Sequence, residues 1–335
     1  MRTYKHWTIA PIAVIGALCL LFVAAAGIAQ QAAAPASEPD PIGAPTTMRR
    51  LTESQYRNSI ADIFGADIKI TGRFERGLRQ DRLLAVAASQ AGLSPFSFEQ
   101  YDQMARGIAN QVVDEKRRDQ LPCRAKTEKA RDDSCVRRIV EHFGLKLFRR
   151  PLTRTEVQHY ASVARESQQR LGGFYDGVRL ALGAMLTAPD FLFRLEHVER
   201  TRSGKAALDA YSKAVRLSYF LTDSTPDDIL LRAAEKGDLG TEAGMRKQAR
   251  RLIASPAFEQ GVRAFFWDMM AFDTFPDLAK DPVIYPAFNT NVAADAQEQT
   301  MRTIIDHLVT RNGDYRELFT TRRTHLTRAL GIVYQ

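Results

Sequence analysis

A chain of 335 residues with 45% hydrophobic content is long and apolar enough to bury a sizeable core, which excludes a disordered protein and fits two or three subdomains. Its formal charge of +8 falls to +6 once Arg2 and Lys5 are set aside, and the other cations are interspersed with nearly as many acids. Without a basic stripe interleaved by stacking aromatics, this reads as a solvated basic surface, and no nucleic-acid partner is expected.

Residues 1–6 carry Arg2 and Lys5, residues 7–29 carry no charge, and small residues crowd 24–34. That is the order of a secretory signal, with cleavage expected after Ala26 or Ala29. The apolar run also has the roughly 20 residues needed to span a bilayer, so an uncleaved anchor to the inner membrane is the alternative, and membrane contact is expected only through this segment. Cys19 follows Leu18 and lacks the small residue of a lipoprotein site, so it reads as part of the signal. Residues 30–47, rich in Ala and Pro, read as an extended linker. Export to the periplasm or cell envelope follows.

The folded part opens with Thr52 and Gln55, a capping box stapled by Leu51 and Tyr56, on a helix closed by Gly65. A second apolar stretch covers 83–91. Cys123 and Cys135 stand twelve positions apart in charged, helix-poor sequence, and in an oxidising compartment such a pair reads as a disulfide, worth about 3 kcal/mol in the chain-entropy picture. No His or second Cys pair has zinc spacing and there is no CxxCH, so neither a metal nor covalent haem is expected in this chain.

Helical stripes then follow in order: Val136, Ile139, Val140, Phe143 and Leu147; Phe174, Val178, Leu182 and Met185; Val262, Phe265, Phe266 and Met269; and Met301, Ile304, Ile305, Leu308 and Val309. Between the first two, Arg149-Arg150-Pro151 ends one helix, and Thr153 with Glu156 starts the next as a capping box stapled by Leu152 and Val157. Further starts are expected at Thr225 before Pro226, at Ser255 before Pro256, and at Asp314. Alternating strand patterns are nearly absent. The fold class is all-α, with serial helical subdomains over 49–120, 123–200 and 208–335. The last ends on an apolar, helix-like segment without a polar tail, which reads as a truncation.

Two constellations are candidate sites, each with a structural alternative. Arg216 and the pair Asp227 and Asp228 flank a helix-turn-helix, either as a charged site or as first-turn carboxylates with Arg216 tying the turn down. Arg149 and Arg150 suit an anion such as a haem propionate or acidic glycan, or serve as cations at the end of their own helix. His142, His159, His197, His307 and His325 show no ligand spacing and read as ordinary surface or core histidines. Serine-nucleophile motifs and a glycine-rich phosphate loop are absent; Glu298 and Asp306 are not placed face to face by sequence; Trp267 reads as core. No catalytic residue is named.

Three segments carry a resemblance. RRLTESQYRNSIADIFG (49–65), CVRRIVEHFGLKLFRRPLTRTEV (135–157) with LALGAMLTAPDFLFRLE (180–196), and VRLSYFLTDSTPDDILLRAAEKGDL (215–239) with the helix at 265–270 are similar to the first, second and third domains of an exported bacterial family. Its members, found in planctomycetes and proteobacteria, are built from domains of unknown function 1587, 1595 and 1592. They usually continue into domains 1588 and 1585, absent here, and some carry a CxxCH motif. The resemblance implies an accessory or scaffolding module associated with c-type cytochrome electron transfer, with haem c in missing domains or in a partner, and a c-type cytochrome or other envelope protein as that partner. An envelope hydrolase or oxidoreductase acting on a polymer or sugar, its site completed by missing sequence, is the alternative. Two departures from the family pattern are Gln299-Thr300 in place of Glu-Thr, and Thr327 in place of Asn.

Overall fold

The helix starts are written locally. Thr52 accepts from the Gln55 amide at 3.3 Å while the Gln55 side chain accepts from the Thr52 amide, opening α1 (Glu53–Phe64), and Gly65 at φ 113° turns the chain away. The computed structural model describes residues 48–88, 92–200 and 204–334, within the unit Pro45–Gln335. The expected signal or anchor, Cys19 and the linker lie outside the described residues.

After α1 the chain runs without long regular structure to the four-residue α2 (Leu84–Ala87), a single turn within the described part, 83–88, of the second apolar stretch. The long helix of this region is α3 (Pro95–Val112), opened by Ser94 with proline in its first turn. The expectations for the next three hold closely. Asp132 caps α4 (Asp133–Leu147), the Thr153–Glu156 box opens α5 (Arg154–Leu171), and α6 (Phe174–Leu186) follows. Both of the stripes assigned to α4 and α6 are buried along their whole length. Between α5 and α6 the backbones come so close that a Cβ at Gly177 would lie 2.3 Å from the Ala164 carbonyl oxygen. Cys123 and Cys135 bring their sulfurs to bonding distance, with the Cα atoms 5.7 Å apart, and pin the chain before α4 to its first turn.

The short α7 (Pro189–Leu192) leads into strands that the sequence did not announce. Among the described residues there are two two-stranded antiparallel sheets: β1 (Arg49–Arg50) pairs with β2 (Phe193–Arg194), and β3 (Val198–Arg200) with β4 (Ala206–Leu208). Strands of two or three residues are too short to display a period of two. The fold remains mostly helical.

The third region holds α8 (Ala210–Thr222), α9 (Asp228–Glu235), α10 (Glu242–Ile253), α11 (Phe258–Met269), α12 (Thr290–Ile305) and α13 (Arg328–Val333). Two expected starts move. Asp227, not Thr225, caps α9, because the Thr225 hydroxyl is donated to the Lys146 carbonyl at 3.2 Å. Ser255 donates to the Leu252 carbonyl and closes α10, so α11 begins after Ala257 without a side-chain cap. Asp314 does cap the following 3-10 turn, Tyr315–Phe319. Residues 306–310 widen into a π turn at the end of α12.

One continuous core runs from Leu51 through α1, α3, α4, α5 and α6 to Val215 and Tyr219 of α8. A second cluster joins α8, α9 and α10, and a third holds only Phe266, Phe272, Met301 and Ile304. In the stripe assigned to α11, Phe266 alone is fully buried; Phe265 is 55% exposed, and Trp267, expected in the core, is 41% exposed with its ring edge-on to Phe272. Helix α11 is covered on too few sides to bury a full stripe. It is held to the first region by Asp268, which accepts from Arg79 at 3.0 Å and from the amides of Leu84 and Ala85 at 2.8 and 3.0 Å.

Candidate functional site

Arg149 ends α4 in the left-handed region at φ 60° and is 2% exposed. Its guanidinium donates to the carbonyls of Asp190 (2.9 Å), Phe191 (2.7 Å) and Phe193 (3.1 Å), and to the Tyr219 hydroxyl (3.0 Å). The carbonyls at the end of a helix have no partner within it, so a cation there satisfies both hydrogen bonds and the helix dipole. The helix served is α7, 40 residues on, and not α4 itself, which corrects the sequence reading. Arg150 turns elsewhere, to Glu156 at 2.8 and 3.0 Å and to the Asp190 carboxylate at 2.6 Å. Its donation holds the Glu156 carboxyl down to about 2. The two guanidinium groups therefore do not converge on one anion, and the cleft beside them, about 10 Å³, has room for no more than a water.

The second constellation also separates. Arg216 makes a two-pronged pair with Glu196 at 2.6 and 2.7 Å, and not with the turn. Asp227 caps α9 and pairs with Arg251 at 2.7 and 2.9 Å, while Asp228 lies 3.4 Å from Lys146. Asp228 stands in the first turn of α9 as expected, Asp227 is its cap one position earlier, and the expected tie from Arg216 is not made. Glu298 and Asp306 are likewise apart, paired with Arg263 and Arg302, and with Arg311. No group of three metal-ligating side chains occurs among the described residues. His307 is engaged by the Asp314 carbonyl at 2.8 Å.

What sequence reasoning missed is the polar junction where α1 meets the end of α8. Asn58 donates its amide to the carbonyl (3.1 Å) and carboxylate (3.2 Å) of Asp223, a residue 4% exposed that leaves α8 in the left-handed region at φ 50°. Ser224 donates to the Asp62 carboxylate at 2.5 Å, and the Ser59 and Tyr219 hydroxyls meet at 2.9 Å. Burial pushes the Asp223 carboxyl up to about 6, against donation from Ser54 and Gln55 and the charge of Arg194. Burial also raises the Asp62 carboxyl and pushes Arg194, whose guanidinium lies 5.3 Å from the Tyr219 ring centre, down to about 10. Asn58 and Asp62 are four residues apart and so share a helix face, which was the only local signal.

A pocket of about 330 Å³ opens between α11, α12 and the chain from Tyr315 onward. Phe266, Met269 and Met270 form one wall, Thr300 and Thr303 another, and Tyr315, Phe319 and Tyr334 the rim. Gln299 in its wall donates to the Thr324 hydroxyl at 2.7 Å and accepts from Tyr334 at 3.4 Å. Thr327 bonds Asp295 and caps α13, so Gln299 and Thr327 both join α12 to the terminal segment.

Three family models match the chain in sequence order: PSD3, a protein of unknown function (DUF1587), over residues 49–114; PSD5, a protein of unknown function (DUF1595), over 135–196; and PSD4, a protein of unknown function (DUF1592), over 208–335. No curated protein and no solved structure matches the chain.

Proposed function

We propose that this chain, which belongs with the proteins assembled from DUF1587, DUF1595 and DUF1592 domains, is an exported accessory module of the cell envelope that scaffolds a c-type electron-transfer partner. One observation carries the scaffold reading: the charged residues that stood out in the sequence are spent on joining the chain's own elements. Arg149 ties α4 to α7 and α8, Arg150 ties α5 to α7, Arg216 ties α8 to the chain before β3, and Asp227 ties α9 to α10. Guanidinium groups held this way are poor candidates for acid-base or nucleophilic work, since moving Arg149 strips partners from buried carbonyls and moving Arg150 or Arg216 strips the partner from a carboxylate. The export reading rests on the charge pattern of residues 1–29, and the electron-transfer setting on the family resemblance.

The test is cross-linking of the full chain in the periplasm beside c-type cytochromes, followed by haem staining of the adducts. A haem-staining band that also contains this chain is the expected result. An exported, folded chain that gives no such band across cross-linkers of different reach overturns the cytochrome association. Turnover of an envelope polymer or sugar, abolished by a point variant of unchanged melting temperature, overturns the scaffold in favour of a hydrolase or oxidoreductase.

A further inference from the structure

We propose that the pocket between α11, α12 and the terminal segment is a binding site for a small anionic amphiphile, a molecule with an apolar body and a single carboxylate-like head. At about 330 Å³ it falls at the lower end of small-molecule sites, and it suits a fused-ring body or a medium acyl chain and not a whole phospholipid.

The walls fit an uncharged body. None of the side chains lining the pocket carries a formal charge, in a chain where 26% of residues do. Met269 and Met270 supply polarisable, adaptable surface, and Phe319, 75% exposed, and Tyr315, 45% exposed, stand at the mouth. The two threonines in the wall give their hydroxyl protons to their own helix, Thr300 to the Ala296 carbonyl at 2.9 Å and Thr303 to the Gln299 carbonyl at 2.8 Å. They offer the pocket methyl groups and acceptor lone pairs, and hold no proton for an anion. The charged head therefore belongs at the rim.

The segment that runs past the pocket supplies the complement. Thr324 lines the pocket, and the chain on either side of it carries Arg322, Arg323, His325 and Arg328, all exposed. Residues 318–334 contain no acid at all. Among the described residues the guanidinium groups of Arg322, Arg323 and Arg328 make no ion pair, whereas Arg302, Arg311 and Arg316 nearby are each paired with an acid. An apolar cavity beside an exposed segment of unneutralised guanidinium groups selects a carboxylate or a comparable anion on an apolar stem.

The experiment is calorimetric titration of the full chain with three ligands that share one body: dodecanoate, dodecanol and dodecyltrimethylammonium. Dodecanoate is expected to bind once per chain, about tenfold tighter than dodecanol, with the cation weakest. Thr300→Trp, which fills the pocket, is expected to abolish binding at unchanged melting temperature; should that variant fail to fold, Thr303→Phe, one turn on, carries the same test. Replacing Arg322 and Arg323 together by Gln is expected to bring dodecanoate down to the affinity of dodecanol and leave dodecanol unchanged. The proposal is overturned by a folded chain with no saturable binding, by equal affinity for all three heads, or by binding that the filled pocket leaves intact. A parallel titration with phosphatidylglycerol vesicles separates sources: vesicle binding insensitive to Thr300→Trp, with no binding of monomeric dodecanoate, assigns the cations to a membrane surface and overturns the site.

Discussion

Residues 48–219 and residues 258–334 of this unit handle polar and apolar groups in opposite ways. In the first region the core is continuous and a deeply buried cation, Arg149, is turned inward onto three carbonyls and a hydroxyl. In the second the core shrinks to a few side chains, ion pairs such as Arg302 with Glu298 and Arg316 with Asp314 lie at the surface, and aromatic rings face outward. The difference teaches where stability and recognition reside. A region locked by buried, directional bonds has little left to offer a ligand, while one that leaves a lined cavity and unpaired cations does.

Substitutions can break this contrast. Arg149→Ala leaves three carbonyls and the Tyr219 hydroxyl without their donor inside the core and is expected to cost about 3–5 kcal/mol by urea unfolding. Arg302→Ala, which removes an exposed pair with Glu298 one turn away, is expected to cost no more than about 0.5 kcal/mol. Equal losses would show that the second region is locked as firmly as the first. Next in size is the disulfide: replacing Cys123 and Cys135 by serine is expected to lower stability by about 3 kcal/mol, read from the same curves with and without reductant.

Asp223 sharpens the comparison through pH. Its carboxyl binds a proton more tightly when folded, at about 6, than when unfolded, near 3.8. Its contribution to stability is therefore greatest below about pH 4 and is lost as pH rises through 6. Asp223→Asn removes that dependence, and asparagine tolerates the left-handed backbone at this position. The variant is expected to gain about 2 kcal/mol at pH 7.5, with the gain fading towards pH 4. A gain that does not change with pH would assign the effect to packing. The smallest effect is expected at Phe265, 55% exposed, where alanine should change stability by no more than about 0.5 kcal/mol, against about 3–5 kcal/mol for Phe143→Ala in the core of α4.

Much of the fold was legible because its signals are local. The boxes at Thr52 and Thr153, the stop at Gly65, and the stripes of α4 and α6 depend on neighbours within one or two turns. The same logic failed at Trp267 and Phe265, since a stripe shows which face is apolar and not whether another element arrives to cover it. It failed at Thr225 and Ser255, whose hydroxyls found carbonyl partners in place of the expected caps. Of the candidate sites, the residues were legible and the partners were not. Arg149 and Arg216 stood out by type, but their acceptors lie 40 or more and 20 positions away, respectively.

By itself, then, the sequence determined a mostly helical chain, the caps at Thr52 and Thr153, the buried faces of α4 and α6, and a cysteine pair spaced to close. Those are short-range matters of dihedral preference, amphipathic period and loop length. Only the tertiary structure decided that Asn58 meets Asp223 across 165 residues, that Arg149 serves the end of α7, and that α11 and α12 leave a lined cavity between them. Such pairings depend on where helices cross, and crossing is set by the joint packing of many side chains and not by any one segment.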